Sequence, residues 1–102
     1  MEPENNFLHP ESGKYTVYSK SNCPNCVKVK ELLRSEKVDF IIVDCDLYLE
    51  SKKAQFLSFI KQQVGREWAT FPMVFDKHCQ FIGGFKDTII HIEKLLEFSD
   101  DF

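Results

Sequence analysis

Four residues constrain this chain more than any other stretch: Cys23-Pro24-Asn25-Cys26. They sit between a β-branched and aromatic run, Tyr15 to Ser19, and a segment from Cys26 to Ser35 in which Cys26, Val29 and Leu33 recur at i, i+3 and i+7. The first pattern reads as a strand and the second as one face of a helix. Ser-Asn-Cys-Pro between them is a helix-start signal, with Pro24 in the first turn, where a fixed φ and a missing N–H are tolerated. At a helix start this cysteine spacing brings the two sulfurs into disulfide range. Cys26 shares the inward face with Val29 and Leu33. Cys23, among the free N–H groups at the helix end, is therefore the exposed sulfur.

The remaining length allows one small domain. The chain has 102 residues, of which 43% are hydrophobic and 28% charged, and its ten phenylalanines can fill a core without a metal or a structural disulfide. The net charge is −3, with no run of like charges, so general nucleic-acid affinity is not expected. No apolar stretch approaches membrane-spanning length. Residues 1–13 are polar and acidic, contain two prolines and lack the basic start and apolar segment of a secretory signal. They read as a flexible arm, with Phe7 and Leu8 as candidate docking residues, ahead of a domain over 14–102. Four cysteines, at 23, 26, 45 and 79, without a signal peptide point to a reducing, cytoplasmic setting.

Further along, Asp39 to Cys45 reads as a buried strand. Leu49 to Val64 carries Phe56, Leu57, Ile60 and Val64 at helical spacing and is closed by Gly65. Pro72 to Phe75 and Cys79 to Ile82 read as strands joined at Asp76-Lys77-His78, a hairpin-length link, with Gly83-Gly84 ending the second. Asp87 reads as the N-cap of a last helix bearing Ile89, Ile92, Leu95 and Leu96. The order is β-α-β-α-β-β-α. The first two strands, joined by a helix, should be parallel, and the last two antiparallel.

The cysteine pair needs a chemical explanation. A free thiol of pKa about 8.5 is only about 3% ionised at pH 7, and lowering that value by two units takes roughly 2.7 kcal/mol. A helix N-terminus gives about 0.3–1 kcal/mol. Further help can come from Cys26 as a hydrogen-bond donor and from Lys20, three residues upstream. A zinc site would need two more ligands, but Cys45 and Cys79 are isolated and His78 is adjacent to Cys79 rather than spaced from it. Cys-x-x-Cys beside a βαβ pattern instead reads as redox-active. His9, His78 and His91 are scattered and read as surface residues, Cys45 and Cys79 as small buried or edge residues, and Trp68 as core.

Lys20, Cys23-Pro24-Asn25-Cys26, Thr70-Phe71-Pro72 and Gly83-Gly84 followed by Asp87 coincide in order and spacing with the glutaredoxins, and the chain resembles that family from about Tyr15 to Phe98. The resemblance implies a thioredoxin-like α/β fold, a four-stranded mixed sheet flanked by helices. It implies a cis Pro72 and a glutathione groove in which Thr70, Phe71 and Pro72 flank the cysteinyl part. Gly84, Phe85, Lys86 and Asp87 would hold the γ-glutamyl end, and Lys20 the glycyl carboxylate. Asn25 stands where many two-cysteine members have an aromatic residue. Trp68-Ala69-Thr70-Phe71-Pro72 is closer to the single-cysteine branch, and Ala69 replaces a basic residue for which Arg66 or Gln63 would substitute.

The implied activity is glutathione-dependent reduction of glutathionylated proteins and protein disulfides, with Cys23 as nucleophile and Cys26 as resolving thiol. Glutathione is the cosubstrate, no metal is required, and the partners are disulfide-bearing proteins, with ribonucleotide reductase among the candidates. A monomer is expected, with no nucleic acid or membrane partner. Three alternatives stay open: an iron–sulfur cluster carrier with glutathione as co-ligand, a redoxin served by thioredoxin reductase, and a zinc-binding interaction module.

Overall fold

The strand reading of Tyr15 to Ser19 holds without adjustment. In the computed structural model, which describes residues 7–99, β1 (Tyr15–Ser19) is buried at all five positions. A strand buried on both faces must lie inside its sheet, and the order is β2-β1-β3-β4. β1 runs parallel to β2 (Phe40–Asp44), with α1 (Pro24–Ser35) as the crossover, and antiparallel to β3 (Met73–Phe75). β4 (Phe81–Gly83) closes the hairpin and is the second edge, while β2, expected to be a buried strand, is the first edge, with Val43 buried but Ile42 46% exposed.

The two faces of β1 build two cores, as strand alternation requires. Tyr15 and Val17 join Val29 and Leu33 of α1, Val74 of β3 and Ile92 of α4 (Phe85–Ser99). Tyr18 joins the aromatic cluster of Phe56, Phe59 and Phe75 on the opposite face. The site-bearing helix α1 is thus clamped by Cys26, Val29 and Leu33, the three positions its periodicity picked out.

Four local expectations are corrected. The helix expected over Leu49 to Val64 is two helices, α2 (Asp46–Ser51) and α3 (Lys53–Val64), because Lys52 leaves helical backbone at φ −142°. Gly65 ends α3 in the left-handed region at φ 93°, as expected of a helix-closing glycine. Phe59 rather than Leu57 completes the fully buried seam with Phe56 and Ile60. The hairpin turn is longer than its sequence suggests. The Asp76 carboxylate accepts from the backbone N–H groups of His78 and Gln80, at 2.8 and 3.0 Å, so Cys79 falls in the turn at φ 63° and not in a strand. Finally, α4 starts at Phe85, two residues before the expected cap. Asp87 lies in its first turn and its carboxylate reaches back to the Gly84 N–H at 3.2 Å, the return half of a capping box.

Of the arm expected over residues 1–13, residues 1–6 lie outside the described residues. Phe7 is 4% exposed and packs edge-on against Tyr48 and Phe56, with ring centroids 4.8 and 5.5 Å away. The buried Tyr18 hydroxyl donates to the Leu8 carbonyl at 2.6 Å, and burial raises the pKa of that phenol well above its ordinary value. The Gly13 N–H reaches the Lys77 carbonyl at 2.9 Å. His91, read as a surface residue, is half-buried with its Nε2 2.9 Å from the Tyr15 hydroxyl.

Phe7→Ala is expected to destabilise the protein by about 3 kcal/mol, the cost of an emptied aromatic site. Urea unfolding at constant m-value measures it, and a loss below about 1 kcal/mol would show that the segment is not part of the core.

Candidate active site

β1 ends at Ser19, and the next four residues carry the chain to the start of α1. Cys23 is the N-cap of α1, with extended backbone (φ −129°, ψ 94°) and Pro24 directly behind it. Its sulfur occupies the place a serine or aspartate oxygen usually takes, accepting the Cys26 N–H at 3.2 Å. Its carbonyl accepts the N–H groups of Cys26 and Val27 at 3.0 and 3.2 Å. Cys26 is 1% exposed, whereas Cys23 is half-exposed. The two are joined as a disulfide with Cα atoms 5.2 Å apart. The division into an outer and an inner sulfur follows directly from which helix face Cys26 shares.

The loop before the pair is tied down by a contact that sequence reading missed. The Ser21 N–H donates to the Asp46 carboxylate at 2.9 Å, and the Ser21 hydroxyl donates to the other carboxylate oxygen. The Ser21 hydroxyl, then its N–H, hold the Asp46 carboxyl below its ordinary range, with Lys20 adding to the effect. The Cys45 N–H bonds the Ser19 carbonyl at 2.8 Å, so the start of α2 grips both the end of β1 and the loop. An aspartate two residues past a strand carries no signature that would have revealed this.

Lys20 borders two hollows. One, of about 280 Å³, holds Cys23 and Cys26. The other, of about 260 Å³, is lined by Lys20, Leu49, Lys53, Leu57, Ala69 and Phe71. Lys53 is a second cation there that the sequence did not single out. A larger hollow, about 440 Å³, surrounds Tyr15 and His91 at the far end of β1 and holds neither sulfur of the pair.

The loop over Thr70-Phe71-Pro72 has a cis peptide bond before Pro72. Trp68 is half-buried against the aromatic core, and its indole N–H donates to the Thr70 carbonyl at 3.1 Å. Arg66 lies over the Trp68 ring at 4.9 Å, which commits it to that stack. Phe71 stacks on Phe56. A Cβ on Gly84 would lie 3.7 Å from the Pro72 carbonyl oxygen, so the start of α4 abuts this loop. Gly83 at φ 132° has no such room, since a Cβ there would strike the Asp87 carboxylate. Phe85 packs in the α1–α4 core beneath Lys28, and Lys86 and Asp87 are exposed on the first turn of α4. Cys45 is fully buried, and burial pushes its thiol up to about 12, whereas Cys79 is exposed. Among the described residues no group of three or more His, Cys, Asp or Glu side chains gathers as a metal site.

An outer and an inner cysteine at a strand-to-helix turn, on a sheet of order β2-β1-β3-β4, are the arrangement of the thioredoxin-like class. Within that class the chain belongs to the glutaredoxin family, whose model matches residues 15–79. It is 35% identical over 77 residues to monothiol glutaredoxin-S6 of Oryza sativa subsp. japonica, covering 76% of this chain and 55% of the relative. The chain thus spans about half the length of that rice protein. Glutaredoxin 1 from Francisella tularensis, solved with cacodylate, superposes with a TM-score of 0.70 at 26% identity, over 82% of this chain and 96% of that one. A buckwheat glutaredoxin–glutathione complex gives 0.62 at 25% identity, over 78% and 68% of the two chains.

Two outcomes test this geometry. In reduced native protein at pH 7, iodoacetamide is expected to label Cys23 and leave Cys45 untouched until the protein unfolds; early labelling of Cys45 would contradict its burial. Asp46→Ala is expected to raise hydrogen exchange at the Ser21 amide by about tenfold once the intrinsic rate is divided out. In the parent protein the same protection is full above the ordinary carboxylate pKa of about 4 and is lost as pH falls through the lowered Asp46 value. Unchanged exchange in Asp46→Ala would dissolve the tie.

Proposed function

We propose that this chain reduces glutathione mixed disulfides and protein disulfides in a reducing, cytoplasmic compartment, with glutathione as cosubstrate. The observation that carries the reading is the Cys23 sulfur. It stands at a helix N-terminus, half-exposed, accepting the Cys26 N–H and opening into a hollow it shares with Lys20. A hydrogen bond to a charged group contributes about 1.5–3 kcal/mol, and the helix end about 0.3–1. Together these match the roughly 2.7 kcal/mol that a useful thiolate population requires at neutral pH.

The Cys23 thiolate attacks the glutathione sulfur of a mixed disulfide. A Cys23–glutathione bond forms, the substrate's S–S bond breaks, and the departing thiolate takes a proton from solvent. A second glutathione thiolate attacks the bound glutathione sulfur, freeing the Cys23 thiolate and releasing glutathione disulfide. With a protein disulfide, Cys23 forms the mixed disulfide and the Cys26 thiolate displaces the substrate. This leaves the Cys23–Cys26 disulfide seen in the structure, which two glutathiones then reduce.

Lys20 and Lys53 flank the hollow that ends at Phe71, a suitable seat for the glycyl carboxylate. The Phe71 backbone, with Thr70 and Pro72 either side, is offered to the cysteinyl part, as in short strand addition. Gly84, Phe85, Lys86 and Asp87 start α4, whose free N–H groups suit the γ-glutamyl carboxylate, while Asp87 suits its ammonium. The buckwheat protein solved with glutathione supports this placement at the level of the fold. A second reading, a cluster carrier with Cys23 and glutathione thiolates as ligands, draws support from the rice relative, which is named monothiol, and from Trp68-Ala69-Thr70-Phe71-Pro72. Visible absorbance after anaerobic purification would favour it.

Cys23→Ser is expected to lower turnover of both substrate classes at least about a thousandfold. Cys26→Ser is expected to keep glutathione mixed-disulfide turnover within about threefold and to abolish reduction of protein disulfides. Equal loss of both in Cys26→Ser, or turnover with thioredoxin reductase in place of glutathione, would defeat the proposal.

A further inference from the structure

The burial of Cys26 creates a chemical problem. To close the Cys23–Cys26 disulfide it must attack as a thiolate, yet it is 1% exposed, and burial favours the neutral thiol. Cys45 shows the size of the effect. Burial, with Asp44 and Asp46 on either side adding to it, pushes that thiol up to about 12. Cys26 has a neighbour that Cys45 lacks. Lys30 follows it by four residues on α1, so the two lie one turn apart on the same strip of helix, with Cβ atoms about 5–6 Å apart. Helical side chains lean toward the N-terminus, so the Lys30 stem leads back toward Cys26. Both residues line the same hollow of about 280 Å³, and Lys30 is half-buried there. Lys20 and Asp44 are the other charged side chains in that lining, and Asp46 stands beside Lys20. Lys86 and Asp87 of α4 are exposed and lie outside it. The hollow is thus close to balanced in charge, and the question is which charge is nearest the inner sulfur. Asp44 ends β2 on the opposite wall, in register with Ser19. It is exposed, and its carboxylate accepts the Asp46 N–H at 3.0 Å, so water and that bond weaken its field at Cys26. Among the described residues no carboxylate lies within ion-pair distance of Lys30.

We propose that Lys30 activates the resolving cysteine: its ammonium stabilises the Cys26 thiolate inside the hollow, so that the second half of protein disulfide reduction runs at neutral pH. The inference rests on Cys26 resolving the mixed disulfide, as proposed above, and adds the group that makes it nucleophilic. The Cys26 thiol gives its proton to solvent through the hollow, and its thiolate attacks the Cys23 sulfur. The Cys23–Cys26 bond forms as the bond from Cys23 to the substrate breaks, and the substrate leaves as a thiolate. Lys30 keeps its proton throughout and acts only through its charge. A glutathione mixed disulfide on Cys23 is resolved by a second glutathione, so that route does not draw on this stabilisation.

The test reads the resolving step directly. The reduced chain, carrying Cys79→Ser to remove the other exposed thiol, is mixed with one equivalent of an aromatic disulfide whose thiolate is coloured. A first burst of colour reports attack by Cys23. A second, first-order burst reports attack by Cys26 on the mixed disulfide so formed. Lys30→Gln is expected to raise the pH midpoint of the second burst by about 0.5–1 pH unit, the effect of one half-exposed charge at this range. The thiolate population then falls while its nucleophilicity rises, and the net rate at pH 7 is expected to drop about two- to threefold. Lys30→Arg is expected to restore the parent midpoint, and Lys30→Glu to raise it further than Lys30→Gln does. The first burst is expected to slow by less than the second. An unmoved midpoint in Lys30→Gln, a midpoint that Lys30→Arg does not restore, or equal slowing of both bursts would overturn the proposal. A parent protein that gives the first burst and never the second would instead defeat the resolving role of Cys26 itself. Two bursts in the parent with an unmoved midpoint in Lys30→Gln would leave that role standing without Lys30.

Discussion

The burial of β1 on both faces is the constraint from which the rest of the structure follows. Tyr15 and Val17 can be covered only by helices on one side, and Tyr18 only by an aromatic cluster on the other. A strand covered in that way has neighbours on both edges, and its C-terminal end is carried to the rim of the sheet. The chain leaving that end has four residues before α1 begins, and α1 is itself held by Val29 and Leu33 in the same core. Cys23 is therefore placed by packing on both sides of it. The two sulfurs differ in exposure because one belongs to the buried face of a helix and the other to its open end.

Much of this was legible in the residues themselves. Val29 and Leu33 announced the α1 seam, the mostly apolar run from Asp39 to Cys45 announced a strand though not its place at the sheet edge, and Cys-Pro-Asn-Cys announced where the cysteine pair sits. The misreadings share a cause. The break at Lys52, the long turn held by Asp76 and the early start of α4 all depend on where backbone hydrogen bonds go, and periodicity does not report that. Asp87 was correctly identified as a residue that satisfies a helix N-terminus, but it does so from inside the first turn. Phe7 was singled out as a candidate docking residue, but the sequence did not say against what, because its partners, Tyr48 and Phe56, are far away in sequence. Lys53 and Asp46 were missed for the same reason, since each gains its meaning only when α2 and α3 are folded against the loop.

The site is also asymmetric in charge. Lys20 and Lys53 border the hollow that ends at Phe71 with no carboxylate in its lining, while the chain as a whole has a net charge of −3. The hydrogen bonds from Ser21 to Asp46 keep the rim that bears Cys23 from splaying, so the lysine at its edge keeps its position relative to the sulfur.

Trp68 is the only tryptophan in the chain, and its indole N–H is bonded to the carbonyl of Thr70, the residue that opens the cis-proline loop. Its ring lies beneath the Arg66 guanidinium and packs at a steep angle to the ring of Phe81. The molecule thus carries one indole fluorophore, placed beside the cis-proline loop. Near-ultraviolet light can interrogate that loop with no label attached and no competing indole elsewhere in the sequence.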